Sequence, residues 1–320
     1  MERDFQSIFE TMISGQMSDK NIAAALISLE ERGITADDLR VGAQVLRARM
    51  NGISAPENTM DIVGTGGDGL STYNISTACC FVVAGAGVPV AKHGNRAVSS
   101  KSGASDVLRE LGIRLDIDKK QTELCIRESG VCFLFAPNHH TAMKHVAGAR
   151  ALIKTRTIFN CLGPLVNPAS VDYILTGVYS NSLRKIYVEA LKELGTKRAL
   201  VVHGDDGMDE ITTTTTTHIS ELRNGNITEY TLDPTQFSLA KVSPQNLVGG
   251  NPLNNAKALL AVLDGQPGAY RDIVVLNSGA ALYVSGHSGT ISDGIHAARK
   301  SIDSGQASKA LSRLIRVSND

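Results

Sequence analysis

Apolar residues recur at helical spacing through the first 50 residues, and this pattern predicts three amphipathic helices. The apolar face of the first helix is formed by Phe5, Ile8, Phe9, Met12 and Ile13. Ser18 is placed to cap the second helix and Gly33 to end it, while Thr35 and Asp38 resemble a capping box that starts the third. Three short helices cannot bury a large core alone. We therefore expect them to pack on another subunit or on a later helix, and packing onto the main domain only is an equally open alternative.

Beyond residue 58 the pattern changes to short strand-like runs that alternate with helical ones. Residues 51–58, with Gly52 and Pro56, are typical of a linker. Strands are predicted at residues 62–63, 88–91, 131–135, 173–179 and 199–202, and helices at 75–84, 107–111, 142–153, 182–194, 291–302 and 307–315. This alternation predicts an α/β fold with a mainly parallel central sheet covered by helices. Residues 211–219, which include six consecutive threonines at 212–217, are predicted as a strand or ribbon of the sheet because threonine favours strands.

Composition and charge narrow the class of function. The chain of 320 residues has 32 Lys+Arg and 32 Asp+Glu, so its formal net charge is zero. A general nucleic-acid or membrane-surface binder would need a basic excess, so neither partner is expected. The five cysteines are odd in number and lack Cys-x-x-Cys spacing, which favours a reducing compartment. No signal peptide or membrane-spanning run is recognised, so we expect a cytoplasmic protein.

The segment from Asp61 to Asp106 carries the strongest functional signal. A short apolar strand leads into Gly-Thr-Gly-Gly-Asp at 64–68. This motif is followed by Asn-Ile-Ser-Thr at 74–77, Lys-His-Gly-Asn-Arg at 92–96 and Ser-Ser-Lys-Ser-Gly-Ala-Ser-Asp at 99–106. Glycines bring backbone N–H groups close to a ligand, and a helix N-terminus favours anions. Taken singly, Gly-x-Gly-Gly is more often a tight turn, and it matches neither the P-loop nor the dinucleotide fingerprint. The motifs together indicate a phosphorylated, anionic ligand.

These motifs resemble those of the anthranilate phosphoribosyltransferase family over nearly the whole chain. The resemblance also includes Phe-Ala-Pro-Asn-His-His at 135–140, Arg-Thr-Ile-Phe-Asn-Cys-Leu-Gly-Pro-Leu-Val-Asn-Pro at 156–168 and His-Gly-Asp-Asp-Gly-Met-Asp-Glu at 203–210. Pyrimidine nucleoside phosphorylases share the first motifs, but the 156–168 block and the Asp-Glu pair favour the transferase. The family implies a helical domain at residues 1–58, joined by part of 155–170, and an α/β domain at 59–320. It also implies a homodimer formed through the helical domain.

The resemblance implies a set of site residues for each ligand. For phosphoribosyl pyrophosphate they are Gly64, Gly67, Asp68, Thr72, Asn74, Ile75, Ser76, Thr77, Lys92, Gly94, Asn95, Ser99, Ser100 and Ala104. For anthranilate they are Gly64, His93, Asn95 and Arg150, and for the cofactor Mg²⁺ they are Ser76, Asp209 and Glu210. No general acid or base is assigned, because the aniline nitrogen is already neutral with a free lone pair.

Each of these residue types also has an ordinary structural role. The residues at 74–77 could simply cap a helix, Lys92 and Arg150 could be solvated surface charges, and Asp209 and Glu210 could be solvated loop carboxylates. His139 and His140 are adjacent but lack other ligands at suitable spacing, so a zinc site is not expected.

Two other functions stay open at this point. One is a pyrimidine nucleoside phosphorylase-like enzyme, and the other is a non-catalytic nucleic-acid-binding relative of the same fold. The sequence departs from the family pattern at Thr141, Gly148 and Lys154, which flank Arg150, so the anthranilate side matches less well than the phosphoribosyl pyrophosphate side.

Overall fold

Seven strands form a single mixed sheet in the computed structural model, which describes residues 2–95, 102–153 and 155–320. The strands are β1 Met60–Gly64, β2 Val90–Gly94, β3 Val131–Phe135, β4 Tyr173–Gly177, β5 Arg198–Gly204, β6 Thr217–Arg223 and β7 Asn226–Leu232. Their order is β3-β2-β1-β4-β5-β6-β7, and the pairs from β3 to β5 are parallel while β6 and β7 are antiparallel. The predicted mainly parallel sheet is confirmed.

Helices cover this sheet and form the N-terminal region. The α-helices are α1 Glu2–Ile13, α2 Asp19–Arg32, α3 Ala36–Arg47, α4 Ile75–Gly85, α5 Ala104–Glu110, α6 Lys119–Ser129, α7 Ala136–His139, α8 Ala147–Leu152, α9 Phe159–Leu162, α10 Asn181–Glu193, α11 Pro252–Leu263, α12 Ala269–Val284, α13 Ile291–Asp303 and α14 Gln306–Asn319. Short 3-10 helices lie at Thr141–Val146, Gly163–Val166, Pro234–Phe237 and Pro244–Leu247. None of the described helices is long and apolar enough to span a membrane.

The direction of the chain across the sheet reverses between β1 and β4. The chain runs from β1 outward to β2 and β3, then returns to place β4 on the other side of β1. The carboxyl ends of these two neighbouring strands are Gly64 and Gly177, which pair in register. In open α/β sheets the ligand binds at such a switch point, outside the carboxyl ends of the strands. The ligand site is therefore expected at the loops after β1 and β4.

The three N-terminal helices pack on later parts of the same chain. Their buried residues, including Phe9, Leu26 and Leu39, share one apolar core with the segment 146–166, with α10 and with residues of β4 and β5. Packing on a later helix was one of the predicted alternatives, and α3 against α10 is that contact. Ser18 caps α2, and Thr35 with Asp38 forms the predicted capping box at α3.

The strand predicted at residues 211–219 is wrong for residues 211–216 and correct from Thr217 onward. Residues 212–216 form a loop, and β6 begins only at Thr217. The threonine hydroxyls are used inside this loop, since Thr212 and Thr214 both donate hydrogen bonds to Asp206. Local side-chain bonds of this kind compete with a strand ladder. The helix predicted at 142–153 is likewise divided into the 3-10 helix Thr141–Val146 and α8.

Candidate active site

Two glycines at the strand ends make room for Asp209. A Cβ atom at Gly177 would overlap the backbone carbonyl of Asp209, and a Cβ atom at Gly64 would overlap its carboxylate. The loop after β5 therefore lies directly on the carboxyl ends of β1 and β4, and only glycine permits this approach. This contact joins the Gly-Thr-Gly-Gly-Asp motif to the Asp-Glu motif, although more than 140 residues separate Gly66 from Asp209.

Both carboxylates of the Asp-Glu pair accept hydrogen bonds from backbone N–H groups, one in the glycine-rich turn and one at the start of α4. Asp209 Oδ2 accepts a hydrogen bond of 2.6 Å from Gly66, and Glu210 Oε1 accepts one of 3.1 Å from Ser76 in the first turn of α4. Burial, with repulsion from Asp68 second, raises the pKa of Asp209 to about 7. Burial, with repulsion from Asp209 second, raises the pKa of Glu210 to about 8. These side chains are therefore not ordinary solvated carboxylates.

Lys92 is a buried cation and not a solvated surface residue. Its side chain is only 4% exposed, and its Nζ donates to the Ile62 carbonyl at 2.6 Å and to Ser76 Oγ at 3.1 Å. It thus lies between β1, β2 and the start of α4. Ser76 in turn connects Lys92 to Glu210 through its hydroxyl and its backbone N–H.

The start of α4 is held by side chains outside the helix. Asn74 occupies the N-cap position, but its side chain makes no capping hydrogen bond. Its Nδ2 donates to the Ser102 carbonyl at 3.3 Å, and its Oδ1 accepts from Asn255 at 2.9 Å. The simple capping role is therefore wrong for Asn74. Ile75 and Thr77 are buried beside it, and Thr72 forms a β-bridge with Val248.

The remaining residues predicted for phosphoribosyl pyrophosphate lie at the same edge or outside the described residues. Asp68 Oδ1 accepts a hydrogen bond of 3.1 Å from the Leu70 N–H. Gly94 is the last residue of β2, Asn95 follows it, and Ala104 begins α5. Ser99 and Ser100, and also Lys154, lie outside the residues that the structure describes.

The oxygen ligands present here suit a magnesium ion. Ser76, Asp209 and Glu210 supply hydroxyl and carboxylate oxygens, and the raised pKa values of the two acids show that their ionised forms are disfavoured here without a cation beside them. Asp206 is committed elsewhere, because it accepts hydrogen bonds from Met208 N–H at 3.1 Å, from Thr212 Oγ1 at 2.7 Å and from Thr214. Within the described residues, no group of three or more His, Cys, Asp or Glu side chains could enclose a metal. The set fits a cation that keeps water and phosphate ligands.

His93 is a buried, neutral imidazole on the other side of β2. Its Nδ1 lies 2.9 Å from the Gly163 carbonyl, so Nδ1 carries the proton and Nε2 has the free lone pair. Burial, with His140 second, lowers the pKa of His93 to about 3. Its Nε2 is buried without a hydrogen-bond partner within the described part of the chain. His139 Nδ1 lies 2.7 Å from the Asn51 carbonyl.

Arg150 lies on α8 with its guanidinium 5.7 Å from the centre of the Phe159 ring. Burial lowers the pKa of Arg150, so this cation is partly removed from water. Phe159 and the Gly163 carbonyl, which contacts His93, belong to the same 156–168 block. Arg150 and His93 therefore both contact the 156–168 block. Arg150 is not a fully solvated surface residue.

Three further residues at the site were missed in the sequence. Arg156 donates a hydrogen bond to the Gly67 carbonyl and stacks 3.9 Å from the centre of the Tyr179 ring. Asn255 donates to Asn74, and Asn277 bonds the backbone of Ile211. Arg156 is the first residue of the 156–168 block, and this was the available signal. Nothing in the spacing of the two asparagines links them to loops that lie far away in the chain.

Known proteins with similar sequences cover nearly the whole chain. Residues 56–308 match the family model described as "Glycosyl transferase family, a/b domain". The anthranilate phosphoribosyltransferase of Brucella suis biovar 1 (strain 1330) is 50% identical over 317 residues, which cover 99% of this chain and 93% of that protein. That of Methylobacterium radiotolerans is 48% identical, covering 98% and 91%. The chain belongs to the anthranilate phosphoribosyltransferase family.

Solved structures of family members share the fold over the whole chain. The crystal structure of anthranilate phosphoribosyltransferase (TrpD) from Thermus thermophilus has a TM-score of 0.95 and 36% identity, covering 100% of this chain and 96% of that one. The enzyme from Saccharomyces cerevisiae in complex with PRPP and Mg has a TM-score of 0.92 and 26% identity, covering 100% and 93%. The predicted fold class and family are confirmed.

Proposed function

We propose that this protein transfers the 5-phosphoribosyl group from phosphoribosyl pyrophosphate to the amino group of anthranilate and releases pyrophosphate. The observation that carries this proposal is the placement of Asp209 on Gly64 and Gly177, with its carboxylate bonded to the Gly66 N–H. An acidic pair fixed beside a glycine-rich turn at a helix N-terminus suits a diphosphate that binds together with a metal. The family's name and the yeast complex with PRPP and Mg support the same substrates.

The phosphoribosyl pyrophosphate half of the site would work mainly by positioning and charge. Backbone N–H groups of Gly64, Gly67 and Asp68, and those at the start of α4, would surround the diphosphate. Lys92 Nζ donates to Ser76 Oγ, and its fixed positive charge would lie beside the bound anion. The other contacts in this half would come from Thr72, Asn74, Ile75, Thr77, Gly94, Asn95, Ser99, Ser100 and Ala104. Preorganised groups of this kind stabilise the negative charge that grows on the leaving pyrophosphate.

Ser76, Asp209 and Glu210 would hold the magnesium ion. When bound, Mg²⁺ neutralises charge on the diphosphate oxygens and so makes pyrophosphate a better leaving group. The protein fixes these ligands before substrate arrives, because the Gly66 and Ser76 N–H groups hold the two carboxylates in place. Without a cation, the acidic pair and Asp68 would repel the substrate.

The acceptor would bind between β2 and the 156–168 block. The planar fork of Arg150 suits the anthranilate carboxylate, and Gly64, His93 and Asn95 would line the ring and amine. The amine nitrogen uses its own lone pair to form the bond to ribose C1 while the bond from C1 to the pyrophosphate oxygen breaks. The nitrogen then loses a proton to solvent or phosphate oxygens. No general acid or base is assigned for this step.

The domain division and the assembly are part of the same proposal. Residues 1–58, joined by part of 155–170, would form a helical domain, and residues 59–320 the α/β domain. Apolar side chains stay exposed on α2 and on α8, which packs against α2, with Ile27 45% and Leu152 61% exposed. Such surface favours a homodimer through these helices, which light scattering at micromolar concentration would test. We also propose a cytoplasmic location, as expected for an enzyme of tryptophan synthesis.

Substrate choice separates this function from the alternatives. Purified protein is incubated with anthranilate and phosphoribosyl pyrophosphate, and in parallel with thymidine or uridine and inorganic phosphate. The proposed function predicts loss of anthranilate and no phosphorolysis of either nucleoside. Phosphorolysis without anthranilate consumption would favour the phosphorylase-like enzyme. Binding of nucleic acid without either reaction would favour the non-catalytic relative, which the zero net charge argues against.

A further inference from the structure

The loop that carries Asp209 and Glu210 is held by a buried asparagine on a distant helix. Asn277 lies within α12 and is 0% exposed. Its Oδ1 accepts a hydrogen bond of 2.9 Å from the Ile211 N–H, and its Nδ2 donates one of 2.8 Å to the Ile211 carbonyl. The side-chain amide thus pairs with both backbone groups of one residue, as a neighbouring strand would. Ile211 follows Glu210 directly in the chain.

The hydrogen bonds from the Asn277 side chain to Ile211 are not needed to form α12. One Nδ2 hydrogen returns to the Ile273 carbonyl four residues earlier, but the other two bonds leave the helix for Ile211. A buried amide is costly unless it is hydrogen-bonded, and an apolar residue would suit this core position better. The asparagine therefore stabilises the loop conformation next to the acidic pair.

The same loop is also held by hydrogen bonds between its own residues, and these form a second anchor. Thr212 Oγ1 donates to Asp206 Oδ2 at 2.7 Å and also accepts from the Thr214 N–H at 3.0 Å. Asp206 in turn accepts from the Met208 N–H at 3.1 Å. These bonds close the loop around residues 206–214, with Asp209 and Glu210 between the bonded positions. The threonine run thus has a structural role that its strand propensity concealed.

We propose that Asn277 is a positioning residue for the metal-binding carboxylates, with Thr212 and Asp206 as the second anchor of the same loop. Asn277 would act through Ile211 and not by direct contact with substrate or metal. It fixes Ile211, and Ile211 fixes the direction in which Glu210 and Asp209 leave the backbone. This inference rests on the proposed function, because it takes these carboxylates as the magnesium ligands. Groups that orient metal ligands in this way commonly change metal affinity by about 10- to 100-fold when they are removed.

Metal affinity tests the inference separately from catalysis. Mn²⁺ and Mg²⁺ binding is titrated by calorimetry in the presence of pyrophosphate, for the wild type, Asn277→Ala and Val275→Ala. Val275 is a buried apolar residue on the same helix, so its variant controls for general loosening of α12. We expect Asn277→Ala to bind the metal at least about tenfold more weakly than wild type, and Val275→Ala to bind it as wild type does. The Mg²⁺ concentration for half-maximal turnover should rise in parallel, with the KM for anthranilate unchanged.

A second variant keeps the test valid if Asn277→Ala does not fold. Thr212→Val preserves the shape of the residue and removes only the hydroxyl bonds to Asp206 and Thr214, and it should also weaken metal binding. Wild-type metal affinity in both variants, or in Thr212→Val alone if it is the only one that folds, would overturn the inference. If the wild type itself bound no metal in the presence of pyrophosphate, the metal assignment of the proposed function would fail and this inference with it.

Discussion

The backbone N–H of Gly66 donates a hydrogen bond of 2.6 Å to the Asp209 carboxylate. This bond joins a turn after the first strand to a loop after the fifth. Gly66 has a φ of 71°, which places it in the left-handed region that favours glycine and turns its N–H toward the carboxylate. The two motifs that define the site are therefore parts of one structure even before a ligand binds.

Removing the negative charges of the acidic pair should impair turnover but not folding. In the double variant Asp209→Asn, Glu210→Gln, the amide oxygens can still accept the bonds from Gly66 and Ser76. We expect at least about a hundredfold lower kcat at low Mg²⁺, because metal-assisted charge stabilisation contributes several kcal/mol. The deficit should shrink as Mg²⁺ is raised.

The matched control for this double variant is Asp205→Asn. Asp205 bonds His218 at 2.7 Å on the outside of the same loop, so its variant should retain wild-type turnover. Full activity of the double variant at low Mg²⁺ would remove Asp209 and Glu210 from the metal site.

The stability of the metal-free protein should fall as the pH rises. The pKa values of Asp209 and Glu210 are raised to about 7 and about 8, above their usual values of 3.8 and 4.5. Their stabilising contribution is complete below about pH 4 and is lost as the pH passes through the raised values. The free energy of unfolding should decrease between about pH 5 and 8, by up to about 1.4 kcal/mol per pH unit for each proton involved.

Urea unfolding in the presence of a chelator measures this dependence. The Asp209→Asn, Glu210→Gln variant should show a shallower decrease, although buried Asp61, with a pKa of about 6, still contributes in both proteins. Mg²⁺ with pyrophosphate should reduce the decrease in the wild type, because the cation binds the ionised carboxylates. Identical pH slopes for the wild type and the variant would contradict the pKa assignments.

Arg150→Ala should weaken anthranilate binding selectively. A charge-assisted pair contributes on the order of 1.5–3 kcal/mol, so we expect the KM for anthranilate to rise by roughly 10- to 150-fold. The KM for phosphoribosyl pyrophosphate should change little. Arg150→Lys keeps the charge but loses the planar fork, and its KM should lie between the two. Equal increases for both substrates would mean that Arg150 only supports α8 against Phe159.

Arg156→Gln should affect the other substrate. This change removes the hydrogen bond to the Gly67 carbonyl and the stacking on Tyr179, so the glycine-rich turn should lose a support. We expect the KM for phosphoribosyl pyrophosphate to rise about threefold to tenfold, with the KM for anthranilate unchanged. Arg127→Gln, an exposed arginine on α6, serves as the control in steady-state kinetics. An unchanged KM in Arg156→Gln would show that the turn does not depend on this contact.

Local signals predicted the elements that depend on local chemistry. The Ser18 cap, the capping box of Thr35 and Asp38 and the continuous apolar run of β3 each follow from neighbouring residues. The switch between β1 and β4 does not, because strand order depends on which crossovers pack best and not on any single motif. The threonine run misled because strand propensity cannot anticipate Asp206, whose carboxylate holds the hydroxyls in a loop.

The candidate site was predictable where its residues belong to motifs and not where they act from a distance. Asp209, Glu210 and Ser76 were named in advance, and the structure brings them together. The roles of these three residues as metal ligands, and the roles of the other residues named for the ligands, stay predictions. Asn277 and Asn255 were missed, because a buried asparagine in an apolar helix becomes informative only when its partner in the fold is known.

The proposed transfer reaction is tested by measuring anthranilate consumption and pyrophosphate release together. Anthranilate fluorescence and released pyrophosphate are followed in one reaction that contains the protein, phosphoribosyl pyrophosphate and Mg²⁺. One pyrophosphate should appear for each anthranilate consumed, and both changes should stop when phosphoribosyl pyrophosphate is omitted or a chelator is added. Pyrophosphate release that is independent of anthranilate, or anthranilate that persists with all components present, would contradict the proposed reaction.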